Sequence, residues 1–151
     1  MSNYYQYCIK FVIFNTEYNK ILLCKRKWEN DFNNTYSFAG WKLENSDKDI
    51  WIWASREKTE ELWNNCRIEV HKELAISEYY IKNNWVHMIL SHHFCIFSWG
   101  LIRLGEEYES YKWFNLDQIW EDKNIVPTIP FIVKKMQSFI PLLNKFTRIK
   151  L

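Results

Sequence analysis

Three carboxylates, Glu57, Glu60 and Glu61, fall within the short run SREKTEELW, Ser55 to Trp63. On a helix they stand at i, i+3 and i+4 and share one face, because side chains three and four positions apart are neighbours there. Like charges so placed repel one another unless a cation joins them. The competing reading is an ordinary solvated face, with Arg56 or Lys58 lacing to Glu60 or Glu61 in surface pairs worth only a few tenths of a kcal/mol each. The elements around the run must decide between the two.

Upstream, Tyr7 to Phe14 (YCIKFVIF) and Lys20 to Arg26 (KILLCKR) are apolar, β-branched and aromatic runs separated by the turn-like NTEYN, which predicts a hairpin. The polar, Asn-rich stretch WENDFNNT reads as a loop leading into YSFAGWKLE, a short aromatic strand broken at Gly40. NSDKD then offers Asn45, Ser46 and Asp47 as helix caps before DIWIWASREKTEELWNNC, which lacks Gly and Pro and is long enough for several helical turns. The acidic run therefore sits on a helix entered from a loop after a strand. Further on, NNWVHMILSHHFCIFSWGLIRL suits one or two strands, YKWF a short one after the acidic turn GEEYES, and NLDQIW a capped helical turn. From Pro127 to Phe146, Ile129, Ile132, Met136, Phe139 and Leu143 form one helical stripe, with Pro130 tolerated in the first turn and Pro141 ending or kinking the pattern.

The chain has 151 residues, 48% of them apolar and 25% charged, which fits one compact domain spanning 1–151 and neither a disordered nor a coiled-coil chain. A 19% aromatic content against three glycines implies a core built from rings. Net charge of +2 gives binding to a large polyanion such as a nucleic acid little support, while leaving a small anionic ligand open. Cys8, Cys24, Cys66 and Cys95 are scattered without metal spacing, so free thiols in a reducing compartment are expected. His92 and His93 are adjacent and would point to opposite faces of a strand, so they make no ligand pair. The N-terminus does not read as a signal peptide and no window nears ~18 apolar residues, so a cytoplasmic protein without a membrane span is expected. The mixed order of strands and helices points to an α+β architecture, a mixed sheet covered by helices.

The order of strand, loop, YSFAGWKLE and capped helix resembles the Nudix hydrolases, whose box ends in Arg-Glu-aliphatic-any-Glu-Glu-any-Gly. Arg56, Glu57, Glu60 and Glu61 match that core residue by residue, and Gly40, Lys42 and Glu44 match the family's approach to the box. The early strands, the acidic loop before YKWF and the C-terminal helix also fall where the family has them. The departures are definite. Trp41 replaces the second Gly of a pair, Lys58 takes the aliphatic position, Trp63 the closing Gly, and the box Glu is at best Asp47, one residue too far from Arg56. Gly at position 41 would let backbone and phosphate or metal come close, which a bulky ring hinders.

The resemblance implies a Nudix-type α/β/α sandwich with a mixed β-sheet between helices. It also implies a divalent-metal-dependent pyrophosphohydrolase that cleaves a nucleoside diphosphate linked to another moiety, such as a nucleoside triphosphate or nucleotide sugar. Glu57, Glu60 and Glu61 would bind Mg²⁺, with Mn²⁺ as the alternative, helped by the Gly40 carbonyl. One of these glutamates, Glu57, Glu60 or Glu61, or else Glu109, would act as general base. Arg56 would orient a carboxylate from behind. Arg26 and Lys42 are placed for phosphate, Glu44 near the metal and substrate, and Trp41 within an aromatic set, Trp28, Tyr36, Trp41 and Trp85, that could stack a base. WFNLDQI also looks like the oxidised-purine nucleotide hydrolases of the family, but the acidic pair that reads the base there is not evident around VPTIP.

Two other functions stay open at this level. Trp41, Lys58 and Trp63 would suit a catalytically weakened domain that senses a nucleotide or partner. An enzyme acting on the 5′ end of RNA is the lesser alternative, since no basic stripe supports it. A small-molecule nucleotide is the expected partner, and a homodimer is compatible with the sequence.

Overall fold

The structure, a computed structural model, describes residues 4–27, 34–44, 48–62 and 65–151, and for Glu61 the backbone alone. Strand β1 (Tyr5–Phe14) turns into β2 (Lys20–Arg26) as the sequence predicts. Asn15 makes that turn: its side-chain oxygen accepts the amides of Asn19 at 3.0 Å and Lys20 at 2.9 Å. Two short strands follow, β3 (Tyr36–Ser37) and β4 (Ala39–Lys42), then α1 (Ile50–Leu62). The long strands β5 (Cys66–Ile81) and β6 (His87–Gly100) form a second hairpin, and β7 (Tyr108–Asn115), α2 (Ile129–Gln137) and β8 (Ile149–Lys150) complete the order.

The strands make one mixed sheet in the order β3-β2-β1-β6-β5-β8, with β4 beside β1 and β7 beside β2. β1 runs parallel to β6 from Tyr5 against His87 to Phe14 against Ile96, and the other pairs are antiparallel. Alternation along the strands sorts the core into two layers. Ile9, Phe11, Ile13, Leu22, Cys24 and Cys95 face one side, where Trp53, Ala54 and Leu62 of α1 close over them. Val12, Phe14, Ile21, Leu23, Phe94 and Ile96 face the other, under Ile129, Ile132, Val133 and Met136 of α2. Each fully buried Leu or Phe of this kind is worth roughly 1.5–3 kcal/mol, so both helices are held by the sheet rather than by helix propensity. The expected α/β/α sandwich is what forms.

Four elements differ from expectation. The strand expected to break at Gly40 is interrupted at Phe38 instead, and Gly40 lies inside β4. The helix expected to reach Cys66 ends at Leu62, and Cys66 already opens β5. β5 itself is unannounced in the pattern, because three extra residues between His71 and Ala75 break its pairing with β6 and turn its apolar residues from the α1 side, at Val70, to the α2 side, at Leu74. NLDQIW forms successive turns rather than a helix, with the Gln118 amide bonded to the Asn115 carbonyl. Pro141 acts as predicted: its ring would clash with the carbonyl of Gln137, the last residue of α2, and the chain continues instead as a 3-10 helix over Ile140–Lys145.

All four cysteines are free and buried. No helix among the described residues is long and apolar enough to cross a membrane.

Candidate active site

Helix α1 is fixed at its start by Asp49, whose carboxylate accepts the amides of Trp51 at 2.8 Å and Ile52 at 3.1 Å. Those two amides hold the Asp49 carboxyl below its usual range. The cap is the last residue of NSDKD rather than one of the three expected there, and Asn45, Ser46 and Asp47 lie outside the described residues.

From there the helix presents two unlike faces. Trp53, Ala54, Lys58 and Leu62 point inward and are buried. Arg56, Glu57 and Glu60 point toward solvent, where Arg56 stands 3.6 Å from a carboxylate oxygen of Glu57 and 3.6 Å from one of Glu60. One guanidinium thus bridges both acids. Glu57 is the more sheltered acid, its side chain 20% exposed against 55% for Glu60. The side chain of Glu61 lies outside the described residues, as do Trp63 and Trp28.

Lys58 explains how a cation can occupy an aliphatic position. Its stem is buried and its ammonium donates to the Cys66 carbonyl at 2.6 Å, tying α1 to the first residue of β5. Burial pulls its pKa below the usual lysine value.

Trp41 is also a core residue. It is 6% exposed, packs edge-on against Phe11 at 4.8 Å between ring centres, and lies against Trp53 of α1 at 6.0 Å. Its ring fills the space between sheet and helix rather than facing a ligand. Tyr36 packs on the opposite, α2 side against Phe114, and Trp85 is exposed at the β5–β6 turn, so the aromatic residues expected to form one stacking set do not share a face.

Gly40 is a glycine for a visible reason: a Cβ there would lie 2.2 Å from the Ile9 carbonyl oxygen and 2.6 Å from Cδ of Lys10. Its own carbonyl accepts from Arg26 Nη2 at 2.9 Å, and Arg26 also lies over the Tyr108 ring, 5.6 Å from its centre. Glu109, the next residue on β7, pairs with Lys25 at 3.5 Å, its side chain half exposed. Arg26 therefore joins Gly40 of β4 to Tyr108 of β7 on the α1 side, whereas Glu109 goes with Lys25, whose ammonium lies over the Tyr36 ring on the α2 side. Lys42, the last residue of β4, and Glu44 just beyond it are exposed.

Among the described side chains no three acidic, histidine or cysteine groups converge as a metal cluster. The donor chemistry of Glu57 and Glu60, two carboxylates on one turn of helix, is that of a hard divalent cation. Sequence reasoning missed the Asp49 cap and the buried role of Lys58. It also missed a Glu78–His92 pair between β5 and β6, which nothing could flag without the strand β5.

No protein-family model and no curated protein matches the sequence. Solved structures do match the fold. The chain superposes on an Ap4A hydrolase of C. elegans, from a binary complex, with TM-score 0.70 and 14% identity, over 89% of this chain and 97% of that one. A MutT NUDIX hydrolase from Burkholderia pseudomallei matches with TM-score 0.67 and 20% identity, over 87% and 97%. The NUDIX domain of Shewanella oneidensis NrtR complexed with ADP ribose matches with TM-score 0.66 and 12% identity, over 91% and 88%. With β1 parallel to β6 in a mixed sheet, α1 on one side and α2 on the other, the chain has the Nudix hydrolase fold.

Proposed function

We propose that the protein is a divalent-metal-dependent pyrophosphohydrolase, a single-domain cytoplasmic enzyme that cleaves a nucleoside diphosphate linked to another moiety, a nucleoside triphosphate or a nucleotide sugar. The observation that carries this reading is the outward face of α1, where Arg56 bridges Glu57 and Glu60. The Ap4A hydrolase and the ADP-ribose complex among the similar structures support a small nucleotide as the ligand class.

Glu57, Glu60 and Glu61 would hold Mg²⁺ or Mn²⁺, which when bound neutralises clustered phosphate charge and makes water a better nucleophile. Glu60, Glu57 or Glu109 takes the proton of the attacking water. Arg56 keeps the α1 carboxylates in place, so that little reorganisation is needed when phosphate charge arrives. The Arg26 guanidinium, already on the Gly40 carbonyl, lends positive charge for phosphate oxygens, with Lys42 and Glu44 at the open end of β4.

The placement of Lys58 and Trp41 favours an enzyme over a sensor that has lost turnover. Both lie on the buried side of α1, so they alter packing rather than the acidic face. The test is release of phosphate or pyrophosphate from a panel of nucleoside triphosphates, nucleotide sugars and dinucleoside polyphosphates, with and without Mg²⁺ or Mn²⁺. Metal-dependent turnover that disappears in Glu60→Gln is the expected result. Nucleotide binding with no turnover on any substrate would replace this reading with the sensor.

A further inference from the structure

One polar pair on the α2 side of the sheet has no part in the chemistry above. Gly40, Lys10, His92 and Ile76 stand in a single register row across β4, β1, β6 and β5, and Lys42, Cys8, Leu90 and Glu78 form the row two residues along, on the same face. His92 is 3% exposed and its ring meets Phe38 edge-on at 5.5 Å. Its Nδ1 lies 3.3 Å from the Ile76 carbonyl oxygen. A carbonyl only accepts, so Nδ1 carries the hydrogen, and in the neutral ring Nε2 is left as an acceptor. Burial keeps the ring neutral, pushing its pKa down to about 4, and Lys10 and His93 act in the same direction.

Opposite that Nε2, at 3.9 Å, stands a carboxylate oxygen of Glu78. The distance is too long for a hydrogen bond, and two acceptors offer no proton to share. What suits such a pair is a donor with two hydrogens. One nitrogen at about 2.9 Å from each acceptor would engage both, standing about 2 Å off the line that joins them. Glu78, with about a quarter of its side chain exposed at 27%, gives access from solvent. The His92 row contains Gly40, whose carbonyl holds Arg26, and strands stand about 4.8 Å apart, so the His92 backbone lies about 10 Å across the sheet from Gly40, with Glu78 one strand further.

We propose that Glu78 and His92 select the nucleobase by its exocyclic amino group, which donates one hydrogen to each. The inference rests on the nucleotide reading above and narrows it: adenine, guanine or cytosine nucleotides are favoured, and those of uracil, thymine and hypoxanthine, which lack the amino group, are discriminated against. The missing group would leave a largely buried acceptor pair without its donor.

Two measurements test this. Nitrogen-15 NMR of the native protein at neutral pH should show the His92 ring neutral, protonated at Nδ1 and bare at Nε2; an Nε2–H tautomer or a charged ring overturns the proposal. Binding of ATP, GTP, CTP, UTP and ITP in the presence of a chelator should show at least one amino-bearing nucleotide held ~10-fold or more tighter than both UTP and ITP. Glu78→Gln should erase that preference, because its amide brings its own donor to His92. Equal affinity for all five overturns the proposal even if every one is hydrolysed. Absence of phosphate release defeats the hydrolase reading alone, since the affinity ratios still decide this one, whereas absence of binding to all five overturns this proposal and leaves the hydrolase reading to the turnover panel.

Discussion

The outward face of α1 and the interior of the protein both carry charged or titratable groups, and they treat them in opposite ways. Outside, Arg56, Glu57 and Glu60 meet at 3.6 Å in water-facing pairs. Such pairs add little to stability, so the fold does not depend on them. Inside, Lys58, His71, His92 and His93 are buried among apolar side chains. There each polar group must be satisfied or kept neutral, and the fold depends on how well that is done. On α1, residues for chemistry and residues for structure thus lie on opposite faces, and two departures from the Nudix box, Lys58 on the helix and Trp41 beneath it, fall on the structural side.

The sharpest way to break this contrast is Glu60→Gln. Activity should fall by ~100-fold or more, as for loss of an acid–base or metal-holding group, with the melting temperature unchanged. A large loss of stability would show that the outer face is structural after all.

Acid should probe the interior instead. The folded pKa of His92, about 4, lies below its ordinary value near 6.5, and burial lowers those of His71 and His93 too. Between those pH values the unfolded chain binds the protons that the folded chain refuses. Stability is therefore complete above about pH 6.5 and lost as pH falls toward 4, with His92 alone contributing about 3 kcal/mol at the limit. Urea unfolding across that range checks it, and His92→Gln should flatten the slope.

Lys58→Ala should cost about 2–3 kcal/mol, through a cavity and a Cys66 carbonyl deprived of its donor. Lys58→Met, which keeps the stem, should cost about 1 kcal/mol and leave turnover per folded molecule unchanged. Smallest of all, Arg56→Ala should lower turnover about tenfold by loosening the α1 acids, while denaturant midpoints move by less than ~1 kcal/mol.

Much of this arrangement was legible in the sequence. YCIKFVIF and KILLCKR carry strand composition around an Asn-rich turn, and the stripe from Ile129 to Met136 carries helical spacing, so local pattern and tertiary burial agree there. The acidic face was legible because Glu57 and Glu60 must share it on any helix. β5 was not, because its three-residue irregularity changes which side of the sheet Val70 and Leu74 face, and a pattern read with a fixed period cannot follow that. With β5 hidden, Glu78 and His92 had no common frame. Trp41 and Lys58 were legible as departures, but their burial depends on which side of α1 faces the sheet.

The four buried cysteines also bear on handling. Burial raises the thiol pKa of Cys8, Cys66 and Cys95, and since the thiolate is the form that reacts with oxidants, the folded protein should resist oxidation. Unfolding releases all four at once into a chain with no native disulfide to guide them. Heating without reductant should therefore yield cross-linked aggregates that do not refold, while a reductant restores a repeatable melting curve.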